Sequence, residues 1–461
     1  MSAKIHYYDI GDYLSREDKL NIIKRFGSIA RIPWTVIEPN EHGDWINHRN
    51  EMFKKFIPIE PEKKFNTKSE CFFSVNSRGN ETGRDVWMYN FSNSKIDDNI
   101  SILINEYNSN IGKLSINELN YDETKISWTS SLITKVLRKE ALQNEHIFAQ
   151  AMYRPFNKQN TYRGYALIHR IGQFKQIFPT PTHENLVICV SGIGGNKENT
   201  TLMSNRIVDL NCLDAGTQCF PLYWYEDRTS DIANLFNQGT IDTVDTYVRR
   251  DGITDWILNT ARKRYGYKLT KEDIFYYVYG ILHSPDYRTT FATDLKKSLP
   301  RLPLVENSDD FWAFSRAGRE LAEWHLNYET IKPYNGCTIH FGAYSNKGEA
   351  INCRVEKMRF AKRDSKTSDK SIIHYNAGIT IEGIPAEAYE YVVNGKSAIE
   401  WVMERYAITT DTKSGITNDP NDWAREHKDE KYILNLLLRI INVSVQTVRI
   451  VKGLPKLKFE E

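Results

Sequence analysis

Residues 391–423, YVVNGKSAIEWVMERYAITTDTKSGITNDPNDW, limit what this chain can fold into more than any other stretch. A strand-like run ends at Asn394-Gly395, a dipeptide suited to a tight turn because both residues tolerate positive φ. Ser397 follows with Glu400 three residues on, a capping box that opens a helix. Ile399, Val402, Met403 and Tyr406 then recur at i, i+3, i+4 and i+7, the stripe of a helix with one buried face. The polar loop from Ser414 to Asn421 comes next, and loops of this kind carry function as often as they carry structure.

The chain has 461 residues, long for one core, so two or three domains are expected. Hydrophobic residues make up 40%, enough for globular folding. The 61 basic and 59 acidic residues leave a net charge of only +2, so any basic surface must be segregated on one face. The six cysteines form no C-x-x-C pair and have no histidine at zinc-ligand spacing, which points to buried thiols in a reduced cytosolic protein. The N-terminus lacks the apolar core of a signal peptide, and no uninterrupted apolar run reaches about 18 residues.

An α+β chain is expected, with mixed β-rich modules, a helical subdomain and a C-terminal helical segment. Ser15 and Asp18 open a short helix whose Leu20, Ile23 and Phe26 share a face and which Gly27 ends. The segment 70–91 reads as two strands around a glycine loop bearing Arg78 and Arg84. From residue 125 to 250, short strands alternate with turns; the polar stretch 227–245 reads as a loop or an insertion. Thr270 caps a helix with a wide apolar stripe that Pro285 stops, and Tyr287, Phe291 and Leu295 mark the next. Ser308 opens a third helix. Strands return at CTIHFGAYS, AINCRVEKMRFAK and SIIHYNAGITIEGIP, before a terminal helix KYILNLLLRIINVSV.

No catalytic signature stands out. An amino-group methyltransferase needs a glycine-rich cofactor turn and an N/D-P-P-Y/F loop; the nearest contexts, Asp419-Pro420-Asn421 and Arg154-Pro155-Phe156, lack the second proline. Gly192-Ile193-Gly194-Gly195-Asn196-Lys197 follows a strand but lacks Walker spacing, so it reads as a turn that could bring backbone close to DNA, or as a plain loop. No helicase box is visible, Glu356-Lys357 lacks nuclease spacing, and the 11 histidines are scattered.

Three clusters combine cations with aromatics or amides. The first is Tyr153 to Arg163, with Arg154, Asn157, Lys158, Tyr162 and Arg163, extended by Arg170, Gln173 and Lys175. It mixes residues that neutralise phosphates with residues that pair with base edges, and so ranks first as a reading surface. The second comprises Arg354, Lys357, Arg359, Lys362, Arg363, Lys366 and Lys370, with Lys357 and Arg359 on one side of an alternating strand and the loop from Lys362 to Lys370 a long cationic hairpin tip. The third, Arg262 to Arg264, closes a helix whose dipole alone favours cations there. A solvated hairpin tip and aromatics held in a core are the plain alternatives.

The blocks YVVNGKSAIEWVMERY with SGITNDPNDW, DIFYYVYGILHSPDYRTTFATDLKKSLPRLPL, YRPFNK and CFPLYWYE resemble the C-terminal specificity region of Type ISP restriction-modification enzymes. Those are single polypeptides carrying a nuclease, a helicase-like translocase, an adenine methyltransferase and a target-recognition domain. IHYYDIGDYLSREDKL, PNEHGDWINHRN and GRDVWMYNF are similar to the family's methyltransferase tail and junction. The resemblance implies a methyltransferase-tail and junction segment over 1–124, a β-rich recognition module over 125–250, a helical subdomain over 251–330 and a β-hairpin plus C-terminal helical module over 331–461. It implies double-stranded DNA as partner, methyltransferase and helicase-nuclease domains in cis or in trans, and a bacterial cytoplasm. S-adenosylmethionine, ATP and magnesium would serve the full enzyme, with none held by this chain. A different class, a stand-alone DNA-binding or interaction protein of a defence system with catalytic partners on separate chains, stays open. Gly194, Asn196 and Lys197 join the first two clusters as candidate DNA contacts.

Overall fold

The computed structural model describes residues 4–11, 14–46, 48–113, 115–228, 246–342, 352–364 and 367–459, which form two compact units divided at Lys55. In the first, the strand Ile5–Tyr7 pairs antiparallel with Thr35–Ile37. Between them lies the helix Arg16–Phe26, opened by the Ser15–Asp18 capping box and closed by Gly27 at φ 69°. None of its residues is buried: Leu20 and Ile23, its apolar stripe, are 54% and 53% exposed. Ile29, Trp34, Val36, Trp45 and Ile46 are exposed beside them in sequence. This unit therefore presents apolar side chains that nothing within it covers.

The second unit is organised on the helix Tyr432–Lys452, which is apolar on nearly every side. It is long and apolar enough to cross a membrane, yet its most apolar window is 67% buried inside the fold. Against it pack the helices Ala398–Arg405 and Ser308–Leu326. The described residues also form three four-stranded sheets. One runs Ile207–Val208, Phe148–Arg154, Asn157–Tyr162, Tyr89–Asn90, with its first pair parallel. A second, Ser77–Arg78, Gln218–Pro221, Val187–Val190, Thr201–Ser204, is antiparallel. The third runs Thr338–Phe341, Ile379–Glu382, Ser368–Asn376, Arg359–Lys362. Helices and small sheets thus mix in the α+β manner expected, and strands distant in sequence share one sheet, as Tyr89–Asn90 does with Asn160 and Thr161.

Local signals carried over where they were purely local. Asn394 and Gly395 both take positive φ, 50° and 80°, between the paired Val392–Val393 and Lys396–Ser397. Both capping-box hydrogen bonds form at Ser397 and Glu400, and at Thr270 and Asp273. Four expectations need correction. GRDVWMYNF is not a strand throughout: Asp85–Met88 forms one helical turn that follows directly on Arg84, leaving only Tyr89–Asn90 paired as a strand. Asn307, not Ser308, caps the third helix, its side chain accepting from the Asp309 amide at 2.8 Å. The stretch Tyr287 to Leu295 is two short helices, Pro285–Thr290 and Ala292–Lys297, with Pro285 in the first turn behind the Ser284 cap. Among the described residues of AINCRVEKMRFAK, only Arg359–Lys362 is extended in a sheet, so Lys357 lies outside the strand. The expected loop at 227–245 falls mostly outside the described residues.

The helices Lys271–Leu282 and Ser308–Leu326 cross at two glycines. A Cβ on Gly318 would sit 1.9 Å from the Tyr276 carbonyl oxygen, and one on Gly280 would sit 2.2 Å from that of Phe314. Neither backbone can yield without parting the helices, so G318A should destabilise the fold by about 3 kcal/mol or more, at the upper end of overpacking costs. Urea unfolding reads this directly.

Under that crossing lie two buried histidines, their ring centroids 5.5 Å apart. His325 is held between the Tyr279 hydroxyl at 2.6 Å and Thr447 Oγ1 at 2.9 Å. Burial pushes the His283 pKa down to about 4; burial, with His283 alongside, also pushes that of His325 down. Both imidazoles are neutral when folded and take up protons when the chain unfolds. Their contribution is complete above the ordinary histidine pKa near ~6.5 and is lost as pH falls toward the folded values. Unfolding free energy should therefore fall between pH ~6.5 and ~4, by up to about 1.4 kcal/mol per pH unit for each histidine. An urea midpoint that holds steady across that interval contradicts neutral burial.

Candidate nucleic-acid interface

The hairpin Phe148–Arg154 and Asn157–Tyr162, ranked first by sequence, lies inside the fold. Phe156 at its turn takes φ 55° and meets Tyr328 edge-on at 5.3 Å. Arg154 donates to Asp209 at 2.6 Å and covers the Tyr153 ring at 3.9 Å. Burial, with Asp85 near, pushes the Asp209 carboxyl up, and Arg154 opposes that shift. Asn157 is fully buried, and Lys158 pairs with Glu329 at 2.6 Å under the ring of Tyr328. Tyr162 is buried, its hydroxyl accepting from the Glu145 amide at 2.9 Å. Arg163 is buried and donates to the Phe178 carbonyl at 2.6 Å. In this conformation four of these side chains have partners within the fold, and Asn157 accepts through Oδ1 from the Gln159 side chain at 3.0 Å while its Nδ2 is left without one among the described residues.

The cluster's extension is more open. Arg170 is exposed, 3.6 Å from Glu81. Lys175 lies over the Tyr165 ring at 4.5 Å, and the Gln173 amide donates to Ser77 Oγ at 2.9 Å. The glycine loop is exposed at Gly194, Asn196 and Lys197. Its amides already have an anion: Asp214 Oδ2 accepts from the Lys197 amide at 3.0 Å, and the amides of Asn196 and Ala215 also hold that carboxyl below the usual range. Such a nest is what a phosphate would otherwise use. Gly192 is required by packing, since a Cβ there would lie 2.0 Å from the Ala215 carbonyl oxygen.

The polar loop after the capped helix is a latch. Its first part forms the short hairpin Thr409–Thr410 and Thr417–Asn418. Asn418 then bonds the Phe91 amide and the Gln159 side chain, both at 3.0 Å. Buried Asn421 accepts from the Val355 amide at 3.0 Å and donates to its carbonyl at 2.7 Å. Asp419 pairs with Arg354 at 3.1 Å and Asp422 with Lys95 at 2.6 Å. One short segment thereby ties together three stretches far apart in sequence.

The second cluster faces outward. In the third sheet, Ile339, Ile381, Ile373 and Phe360 stand in register and turn toward the core. The neighbouring row, His340, Thr380, His374 and Arg359, also stands in register and projects to the other face, as the two-residue period requires. His340 Nε2 meets Glu382 at 3.1 Å and His374 Nδ1 meets Thr380 Oγ1 at 3.1 Å. Lys357, Arg359 and Lys362 are exposed and make no ion pair among the described residues. Arg363 is exposed and helps hold the Asp369 carboxyl low, after the Ser371 hydrogen bonds. Lys370 is engaged by Glu400 at 2.9 Å; Lys366 lies outside the described residues. Of the third cluster, Arg262 donates to the Leu269 carbonyl at 2.8 Å, while Lys263 and Arg264 are exposed. The sequence reading missed His340, Thr380 and His374; the alternation in TIHF and IIHYN was the signal available.

Among the described residues, Glu41, His42 and Glu51 are the one carboxylate–imidazole group close enough to hold a metal ion, all exposed. Lys54 already bridges Glu41 and Glu51 at 3.3 and 2.9 Å.

A family model described as the Type ISP C-terminal specificity domain matches residues 71–436. The chain belongs to that family. No curated protein sequence matches it. The Type ISP specificity domain is similar to a nuclease-deletion mutant of the Type ISP restriction-modification enzyme LlaGI in complex with a DNA substrate mimic, at 36% identity and TM-score 0.83, covering 99% of this chain and 40% of that one. It is also similar to the ATP-dependent Type ISP enzyme LlaBIII bound to DNA, at 35% identity and TM-score 0.86, covering 99% of this chain and 28% of that one. A DrdV–DNA complex matches at 27% identity and TM-score 0.82, covering 99% of this chain and 44% of that one. The specificity domain thus spans less than half the length of each of these structures.

Proposed function

We propose that this chain is the DNA target-recognition part of a Type ISP restriction-modification system in a bacterial cytoplasm. It reads a short asymmetric duplex site and presents it to an adenine methyltransferase, and an unmodified site licenses ATP-driven translocation and cleavage by other domains. The observation that carries this reading is the match of the specificity-domain model across residues 71–436, together with DNA in the related complexes. The exposed row of the third sheet, with Lys357, Lys362 and Arg363 beside it, is the proposed contact surface, and Lys175, Arg170, Asn196 and Lys197 are second candidates. The uncovered apolar side chains of the first unit, Leu20, Ile23, Trp34 and Trp45 among them, support docking onto a methyltransferase domain, in cis or in trans.

Fluorescence anisotropy with labelled duplex tests the reading. With roughly five to eight phosphates neutralised, affinity should drop by about two to four decades between ~50 and ~200 mM salt. A nearly flat salt dependence would assign the basic side chains to ordinary solvated surface.

A further inference from the structure

The third cationic cluster belongs to a turn outside the proposed contact surface. The helix Asp255–Tyr265 ends with Arg262, Lys263 and Arg264, and Gly266 directly after it takes φ 105°, a conformation that residues with a Cβ rarely adopt. Hydrogen bonds hold the turn in place. The Gly266 amide donates to the Arg262 carbonyl at 2.9 Å and the Leu269 amide to the Gly266 carbonyl at 3.3 Å. Arg262 Nε donates to the Leu269 carbonyl at 2.8 Å. Leu269 is buried, and the Tyr265 ring stacks on Phe311 at 4.4 Å. Between these anchors Tyr267 is 84% exposed, more than any other large apolar or aromatic side chain among the described residues.

Lys263, Arg264 and Lys268 are exposed and form no ion pair among the described residues. The carboxylates of the adjoining elements are engaged elsewhere. Asp251 and Asp255 meet Lys271 at 3.0 and 2.7 Å, and Glu272 and Asp273 meet Arg319 at 2.8 and 2.9 Å. Asp309 and Asp310 lie in the first turn of the Ser308–Leu326 helix, where its dipole favours them. The dipole of the Asp255–Tyr265 helix favours Lys263 and Arg264 in the same way, but it does not account for Tyr267 and Lys268, which lie past the helix end.

Three unpaired cations around a tyrosine suit a sugar–phosphate backbone. Lys and Arg neutralise phosphates, and Tyr is among the side chains that bond phosphate oxygens and sugars. A membrane-surface helix would need a free apolar face, whereas Ile257, Ala261 and Tyr265 are buried. A single-strand site would stack successive bases on several aromatics, and this turn offers one.

We propose that this turn is a second, sequence-independent contact to duplex DNA, with Lys263, Arg264 and Lys268 on phosphates that flank the recognised bases and Tyr267 against the backbone between them. It rests on duplex DNA being the ligand of this chain. The turn is apart from the outward sheet. It packs at Phe311, near the N-terminal end of the Ser308–Leu326 helix, whereas the chain enters the third sheet only after the other end. Those 19 helical residues span about 28 Å.

Anisotropy titrations of the 461-residue chain with labelled duplex across a salt series test this. The combined variant K263A, R264A and K268A should bind about tenfold or more weakly, with the slope of log affinity against log salt shallower by roughly two to three units. Its melting temperature should be unchanged. Y267A should weaken binding with the slope retained, because no charge is lost. Both should keep the unaltered chain's preference among duplexes, since backbone contacts weaken all sequences alike. If the unaltered chain binds duplex and the combined variant keeps its slope, the proposal is overturned while the DNA reading stands. A chain that binds no duplex at all removes both. A changed preference among duplexes would overturn sequence independence. Loss of binding to phosphatidylserine–phosphatidylcholine vesicles, with the duplex slope kept, would overturn the proposal by assigning the turn to a membrane.

Discussion

Replacing Lys357, Arg359, Lys362 and Arg363 together by alanine should strip the chain of most of its duplex affinity without lowering its melting temperature. Each side chain is exposed, and their loss removes no buried contact. Each phosphate contact contributes about 0.9 to the slope of log affinity against log salt, so the variant's slope should be shallower by roughly three to four units. Anisotropy titrations across a salt series measure the slope. An unchanged slope would move the contact surface elsewhere, with Arg170, Lys175 and the exposed Lys263 and Arg264 the next to test. The sequence-based ranking leads to the opposite expectation, that Arg154, Lys158 and Arg163 matter more for binding than the hairpin set.

For Arg154 the expected loss is in stability. R154A leaves Asp209, 1% exposed, without its cation. Breaking a buried pair by removing one partner costs about 3–5 kcal/mol, because the group left behind stays buried without its partner, here a carboxyl that burial already drives toward the protonated form. Asp209→Asn added to R154A should recover part of that loss, since it removes the stranded carboxylate. Urea unfolding of the single and double variants reads the effect. If R154A instead keeps its unfolding midpoint and loses discrimination between duplexes, Arg154 belongs to the reading surface and the internal pair is dispensable.

What was legible in the sequence was what neighbouring residues decide among themselves. Ser397 with Glu400, Thr270 with Asp273 and Asn394-Gly395 each complete their interactions within three residues, and the structure contains all three devices. The mixed α+β architecture and the family were legible from such blocks as well. The fate of a cation was not. Arg154 pairs with Asp209, Lys158 pairs with Glu329 and Arg163 is hydrogen-bonded to the Phe178 carbonyl, partners that only the tertiary fold brings near. A segment rich in Arg, Asn and Tyr has the same composition whether it enters a DNA groove or builds a polar interior. The role of the polar loop was open for the same reason, because Asn418, Asn421 and Asp422 spend their hydrogen bonds on Phe91, Val355 and Lys95, all distant in sequence. The outward row His340, Thr380, His374 and Arg359 exists only through the register of four strands, and register across strands is not written in any one of them.

Target recognition is tested most directly by selecting bound duplexes from a randomised library and sequencing them after successive rounds. The account predicts enrichment of one short, asymmetric motif, with single-base changes in it costing about 1–3 kcal/mol each in competition assays. Salt-sensitive binding to the library with no motif enriched would contradict it, leaving a chain that holds DNA by its phosphates and reads nothing.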